Sequence, residues 1–161
     1  PGDGVMGASL KNFPDVEVSS VVIEGTQQNE ETIPTEGDDS YLTVNSDSTP
    51  TTVTARFYGV EPDDLVMLAG GEVDGTTGFW NAPSTPPNIY LSVSIKGKDI
   101  KGKRGVLLIP YAKTSARIQG TITKNGLPAV DVTFTANTPV SEAGDKGFPY
   151  SYGVEDVPAT S

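Results

Sequence analysis

The side chains able to do chemistry here are carboxylates, lysines and hydroxyls, because the 161 residues contain neither histidine nor cysteine. Without an imidazole, a nucleophilic serine has only lysine as its base, and no spacing marks one serine out from the rest. Two adjacent carboxylate pairs, Asp38-Asp39 and Asp63-Asp64, are the candidates for glycosidase-type acid–base work. The first falls in a polar loop and the second opens a helix, so neither reads as a reacting pair. A calcium loop needs oxygen ligands at alternate positions around a glycine. Glu36-Gly37-Asp38-Asp39-Ser40 and Glu72-Val73-Asp74-Gly75 supply only fragments of that and read as turns. Phosphate cradles of the GxxxxGK[ST] type are absent. The sequence therefore predicts no enzyme, no catalytic, cofactor-binding or metal-ligating residues, and no cofactor.

Charge is the more informative signal. The net charge is −10, and it is spread unevenly. Residues 1–75 hold fifteen acids against Lys11 and Arg56, while residues 76–161 hold six acids against nine bases. Five of the eleven bases fall within Lys96–Arg104. That segment could touch phosphates, yet it has no aromatic for base stacking. A protein this acidic does not hold nucleic acid through its backbone; it repels DNA. An acidic surface of one copy meeting the basic turn of the next would instead build rings or filaments, as head-to-tail contacts do.

These charges need a scaffold, and the sequence predicts one of short strands. Glycine (18) and proline (13) are frequent and aperiodic, which points to many turns. Residues 1–15 read as an irregular N-terminal arm, and Pro1-Gly2-Asp3-Gly4 does not read as a signal peptide. Val16–Ile23 suits a strand. Residues 24–40 are polar and acidic and read as a long exposed loop or hairpin arm. Strands follow at Tyr41–Val44 and Thr51–Tyr58. Glu61–Gly71 is the one helix: Pro62 suits the first turn, Asp63 and Asp64 suit the positive end of the dipole, and Gly70-Gly71 suit the exit. Leu65 and Leu68 face its core side, with Met67 and Ala69 filling.

Phe79-Trp80 is either a core plug or an interface anchor, with the core favoured for the only tryptophan. Ile89–Lys96 alternates, with Ile89, Leu91, Val93 and Ile95 on one face. Gly97–Lys103 is a charged hairpin loop and Arg104–Ile109 a buried return strand. Lys113–Thr123 and Ala129–Ala136 are further strands around a turn at 124–128. Residues 140–161 read as a loop-rich tail whose Tyr150 and Tyr152 look exposed. No apolar run approaches the roughly 18 residues of a membrane span. The expectation is one soluble all-β domain over residues 1–161, a β-sandwich or small barrel of about eight strands with one short flanking helix and long interaction loops.

The order of features then resembles a known family. Gly4-Val5-Met6-Gly7-Ala8-Ser9-Leu10, the acidic second segment, the strand-then-helix passage Val53–Gly70, Phe79-Trp80-Asn81-Ala82-Pro83, and a strand pair around a basic hairpin come in sequence. Leu108-Ile109-Pro110-Tyr111-Ala112-Lys113 then leads to Ile118-Gln119-Gly120-Thr121-Ile122 and to Val130-Asp131-Val132-Thr133-Phe134-Thr135-Ala136-Asn137-Thr138-Pro139. Together these resemble the tail tube (major tail) proteins of long-tailed bacteriophages.

The resemblance implies a structural virion protein: β-sandwich subunits closing into hexameric rings that stack into a tube with an acidic inner wall, through which DNA passes transiently. It implies assembly in the bacterial host cytoplasm, no membrane, and partners among other tail proteins such as the tape measure, terminator and baseplate or tip. The N-terminal arm and a long hairpin would bridge adjacent rings. The interface candidates are Glu24, Glu30, Glu31, Glu36, Asp38 and Asp39 against Lys96, Lys98, Lys101, Lys103 and Arg104, with Tyr150 and Tyr152 beside them. An alternative resemblance covers fewer than twenty residues. Arg117–Thr135 is similar to a run in carboxypeptidase-regulatory-like domains, with Ala129 where a glycine is usual, and implies an Ig-like surface or adhesin module.

Overall fold

The computed structural model describes residues 2–13, 16–17, 20–120 and 129–157, apart from the side chains of residues 29–30, 33–35 and 38–47. Within them the protein is mostly β, with ten strands and one helix. Six strands share one antiparallel sheet: β1 (Val22–Glu24), β4 (Thr52–Phe57), β9 (Ala129–Ala136), β8 (Lys103–Gln119) and β10 (Ser151–Asp156), with β7 (Ile89–Lys96) on the other side of β8. Two small sheets stand apart: the hairpin β2 (Gln27–Thr35) and β3 (Asp38–Thr49), and the pair β5 (Glu72–Val73) and β6 (Trp80–Asn81). This is the all-β sandwich or small-barrel class, with one short helix.

The long strand β8 organises the molecule. Its first half, Lys103–Leu108, pairs with β10, and its second half, Ala112–Gln119, pairs with β9 on the same edge. β7 runs along the other edge and skips a residue between Leu91 and Val93, opposite Pro110 and Tyr111. Proline cannot donate to a ladder and is placed at such bulges. The Pro110 carbonyl instead accepts a hydrogen bond from the Ser92 hydroxyl at 2.9 Å. Bulges bend a strand, so β8 can serve two halves of a curled sheet.

Alternation in β4 and β9 sends Val53, Ala55 and Phe57 with Val130, Val132, Phe134 and Ala136 into the core. There they meet Leu107, Ile109 and Ala112 of β8 and Leu65 and Leu68 of α1 (Pro62–Ala69). Gly70 closes the helix, donating to the Val66 carbonyl with a positive φ of 76°. Leu91, Val93 and Ile95 of β7 pack on this core but stay half-buried, as do Ser92 and Ser94 between them.

Of the long loop and the hairpin arm expected for the acidic segment, the structure has the hairpin arm, turning at Glu36-Gly37. Three sequence expectations need correction. Tyr41–Val44 is not a strand of its own but part of the hairpin's second arm, Asp38–Thr49. The tail is not wholly loop, because Ser151–Asp156 pairs with β8. Residues 2–13 lie on the chain's own body: Val140 donates to the Gly2 carbonyl at 3.0 Å, Gly7 donates to the Ser92 hydroxyl at 3.0 Å, and Phe13 meets Phe57 with ring centres 5.2 Å apart.

Candidate functional site

The acidic arm is a hairpin of two long strands, and its sequence from Gln27 to Thr49 holds six acids and no base. Thr35 opposite Asp38 leaves a two-residue turn. At about 3.3 Å per residue, its nine- and twelve-residue strands span roughly 30–40 Å. Among the described residues β2 and β3 pack chiefly on each other. Thr26 and Thr51 join hydroxyls at 3.0 Å at its base. Glu24 ends β1 and is exposed, Glu30 and Glu31 stand opposite Asn45 and Val44, Glu36 is exposed in the turn, and Asp38 and Asp39 open β3. All the sequence candidates on this side except Glu24, which ends a strand of the main sheet, therefore gather on the hairpin. A lone two-stranded hairpin is marginally stable in water.

The basic turn is organised differently. Asp99 accepts a hydrogen bond from the Gly102 amide at 2.8 Å, and Lys101 sits at a positive φ of 55°. Three of the five cations are engaged within the chain. Arg104 pairs with Glu155, Lys96 reaches the same carboxylate at 3.5 Å, and Lys103 lies 3.9 Å from Asp156. The Arg104 guanidinium foremost, with Lys96 behind it, holds the Glu155 carboxyl below its ordinary value. These pairs tie β10 to β8 and to the end of β7, which sequence reasoning missed because Glu155 and Asp156 lie about fifty residues away with no motif to join them. Lys98 and Lys101 are exposed and have no ion-pair partner among the described residues.

Tyr152 is 69% exposed beside Gly105, whereas Tyr150 is half-buried against the core rather than open. Trp80 is a core lid: its indole nitrogen donates to the Gly70 carbonyl at 2.8 Å and its ring packs on the cluster. Phe79 beside it is 72% exposed.

The carboxylate pairs do not converge. Asp64 is buried and bound to Lys11, whose pKa that hydrogen bond raises, while Asp63 faces out. Successive helical residues stand about 100° apart, which is why they diverge. Among the described residues no three metal-ligating side chains gather into a group, and no helix is long and apolar enough to cross a membrane. Asp74 folds back to accept the amides of Thr76 and Thr77 at 2.7 and 2.8 Å, a turn closure that lowers its pKa. The stretch similar to carboxypeptidase-regulatory-like domains, Arg117–Thr135, has its middle, residues 121–128, outside the described residues, and its two ends lie in β8 and β9.

No protein-family model matches the chain, and no curated protein matches it.

Proposed function

We propose that this chain is a structural subunit that closes into rings with copies of itself, and that the rings stack into the tail tube of a long-tailed bacteriophage. The observation that carries this reading is the β2–β3 arm: a long acidic hairpin that, among the described residues, packs chiefly on itself and forms a sheet separate from the main one. An element of that size is stabilised by a neighbouring subunit. The two uncommitted lysines of the basic turn, Lys98 and Lys101, offer the complementary charge. The net charge of −10 suits a conduit that lets DNA pass without adsorbing it, since binding to the phosphate backbone needs cations. No arrangement of side chains among the described residues competes with an assembly role.

Negative-stain microscopy of concentrated purified protein tests the proposal. Rings or tubes of uniform diameter are the expected result; particles that stay single at all concentrations and salt conditions overturn it.

A further inference from the structure

Between the N-terminal segment and the sheet runs a groove of about 890 Å³. Every residue from Tyr90 to Gly97 lines it. Successive strand residues face opposite ways, so an unbroken run means that the groove follows the edge of β7 rather than one of its faces. That edge, opposite β8, has no strand partner among the described residues. The facing wall is apolar, formed by Val53, Ala55 and Phe57 of β4 and Phe134 of β9. An open strand edge beside an apolar wall is the receiving half of β-strand addition.

The donating half is on the same chain. β3 is a twelve-residue strand without proline, whereas its partner β2 carries Pro34. Among the described residues it is paired on one edge only. Its acidic start, Asp38-Asp39, suits the end of β7 where Lys98 and Lys101 stand without ion-pair partners among the described residues.

Strand register fixes the direction and height of the match. Glu24 stands opposite Thr52, Thr52 opposite Thr135, and Thr135 opposite Lys113. The arm leaves the sheet at that level, toward the end of β8 where Lys103 and the basic turn lie. β7 runs the same way, with Ile89 opposite Thr114 and Lys96 opposite Val106. A second copy beside the first, the same way up, therefore presents its β7 antiparallel to β3, with the acidic tip at its basic turn. At 3.3 Å per residue β3 spans about 40 Å and β7 about 26 Å, so β3 is long enough to cover the whole edge of β7.

We infer that β3 of each subunit adds, antiparallel, to the free edge of β7 in the neighbouring subunit of the same ring. This rests on the proposed ring assembly, and it moves the arm's contact from between rings to within one. The contact is heterologous, of the kind that closes when the rotation allows.

The absence of cysteine makes disulfide trapping unambiguous. Chains carrying Ser94→Cys are mixed under mild oxidation with chains carrying Ser40→Cys, Thr43→Cys or Ser46→Cys, which sample the register. Thr77→Cys, in the β5–β6 turn, is the control. At least one β3 position is expected to give heterodimer at ten times the control yield or more. The corresponding double variant is expected to give a covalent ladder ending at the ring number, in isolated rings as well as in tubes. Rings without cross-linking above control overturn the inference and spare the assembly reading. A ladder confined to tubes places the contact between rings and also overturns it. Single particles without cross-links sink both. As a second arm, Asp38→Lys with Asp39→Lys should cut the yield about tenfold, and Lys98→Glu with Lys101→Glu should restore it; no change in either direction counts against the antiparallel register.

Discussion

Arg56 holds Asp131 at two points, Nε to Oδ1 at 2.6 Å and Nη2 to Oδ2 at 3.2 Å, joining β4 to β9 on the face away from the core. Glu17 lies 3.5 Å from the same guanidinium and Arg117 lies 3.8 Å from the same carboxylate. The Arg56 hydrogen bonds keep Asp131 below its ordinary pKa. A carboxyl whose folded value is depressed stabilises the fold above its unfolded value, near pH 4, and loses that contribution as pH falls through the folded value. Asp131→Asn is therefore expected to lower the melting temperature at pH 7 by a few degrees. The gap from wild type should shrink as pH falls below about 4. Thermal melts across pH 2–7 check it; a gap that stays constant removes the ion pair as its cause.

Thr114 carries the opposite kind of polar group. It is 4% exposed, and its hydroxyl has no hydrogen-bond partner among the described residues. A buried hydroxyl left unpaired costs about 1–3 kcal/mol, and an apolar group of the same shape removes that cost. Valine has that shape and suits a strand. Thr114→Val should stabilise the protein by about 1 kcal/mol, read as a higher urea midpoint at unchanged slope. A lower midpoint would mean that the hydroxyl has a partner in solution.

How much of this could be read beforehand depends on whether one segment or two were involved. The helix, the inward Leu65 and Leu68, and the β7–β8 hairpin were legible because periodicity, caps and turn residues are local signals. β10 was not: Ser-Tyr-Gly-Val-Glu-Asp has a glycine in its middle and little apolar alternation, and its pairing with Lys103–Leu108 is a distant contact. The arm was legible as an exposed acidic loop or hairpin, but not that the strand at Tyr41–Val44 is its second half, because apolar runs do not say what they pair with. Lys96, Lys103 and Arg104 were sorted with Lys98 and Lys101 by charge alone. Only three-dimensional placement shows which cations β10 already engages.

Gly71 tests the closure around Trp80. It has a positive φ of 86°, and a Cβ there would lie 2.2 Å from the Asn81 carbonyl oxygen and 3.0 Å from the Trp80 indole nitrogen. Because the nearest atom is backbone, it cannot swing aside. The left-handed conformation alone costs a residue with a Cβ about 1–2 kcal/mol. Gly71→Ala should lower stability by at least that much and shift the emission of the sole tryptophan to longer wavelength as β5–β6 loosens. Gly75→Ala, where a Cβ meets nothing within 4 Å, should leave both nearly unchanged. Equal effects from the two would discredit the close approach.

The basic turn allows assembly to be separated from folding. Lys98→Glu with Lys101→Glu alters two exposed side chains that engage no acid among the described residues, so the melting temperature should hold within about 2 °C while ring formation is lost. Lys103→Glu with Arg104→Glu instead confronts Asp156 and Glu155 with like charge, which should free β10 and lower stability before assembly is considered. Hydrogen exchange should show the difference directly, with the amides of Ser151–Asp156 losing protection only in the second pair. Salt supplies an independent reading. A contact built from exposed opposite charges weakens when the Debye length shrinks from about 10 Å at 0.1 M to about 3 Å at 1 M, so rings that form at low ionic strength should dissociate as salt rises. Rings from the Lys98→Glu, Lys101→Glu protein with unchanged salt tolerance would remove the basic turn from the interface.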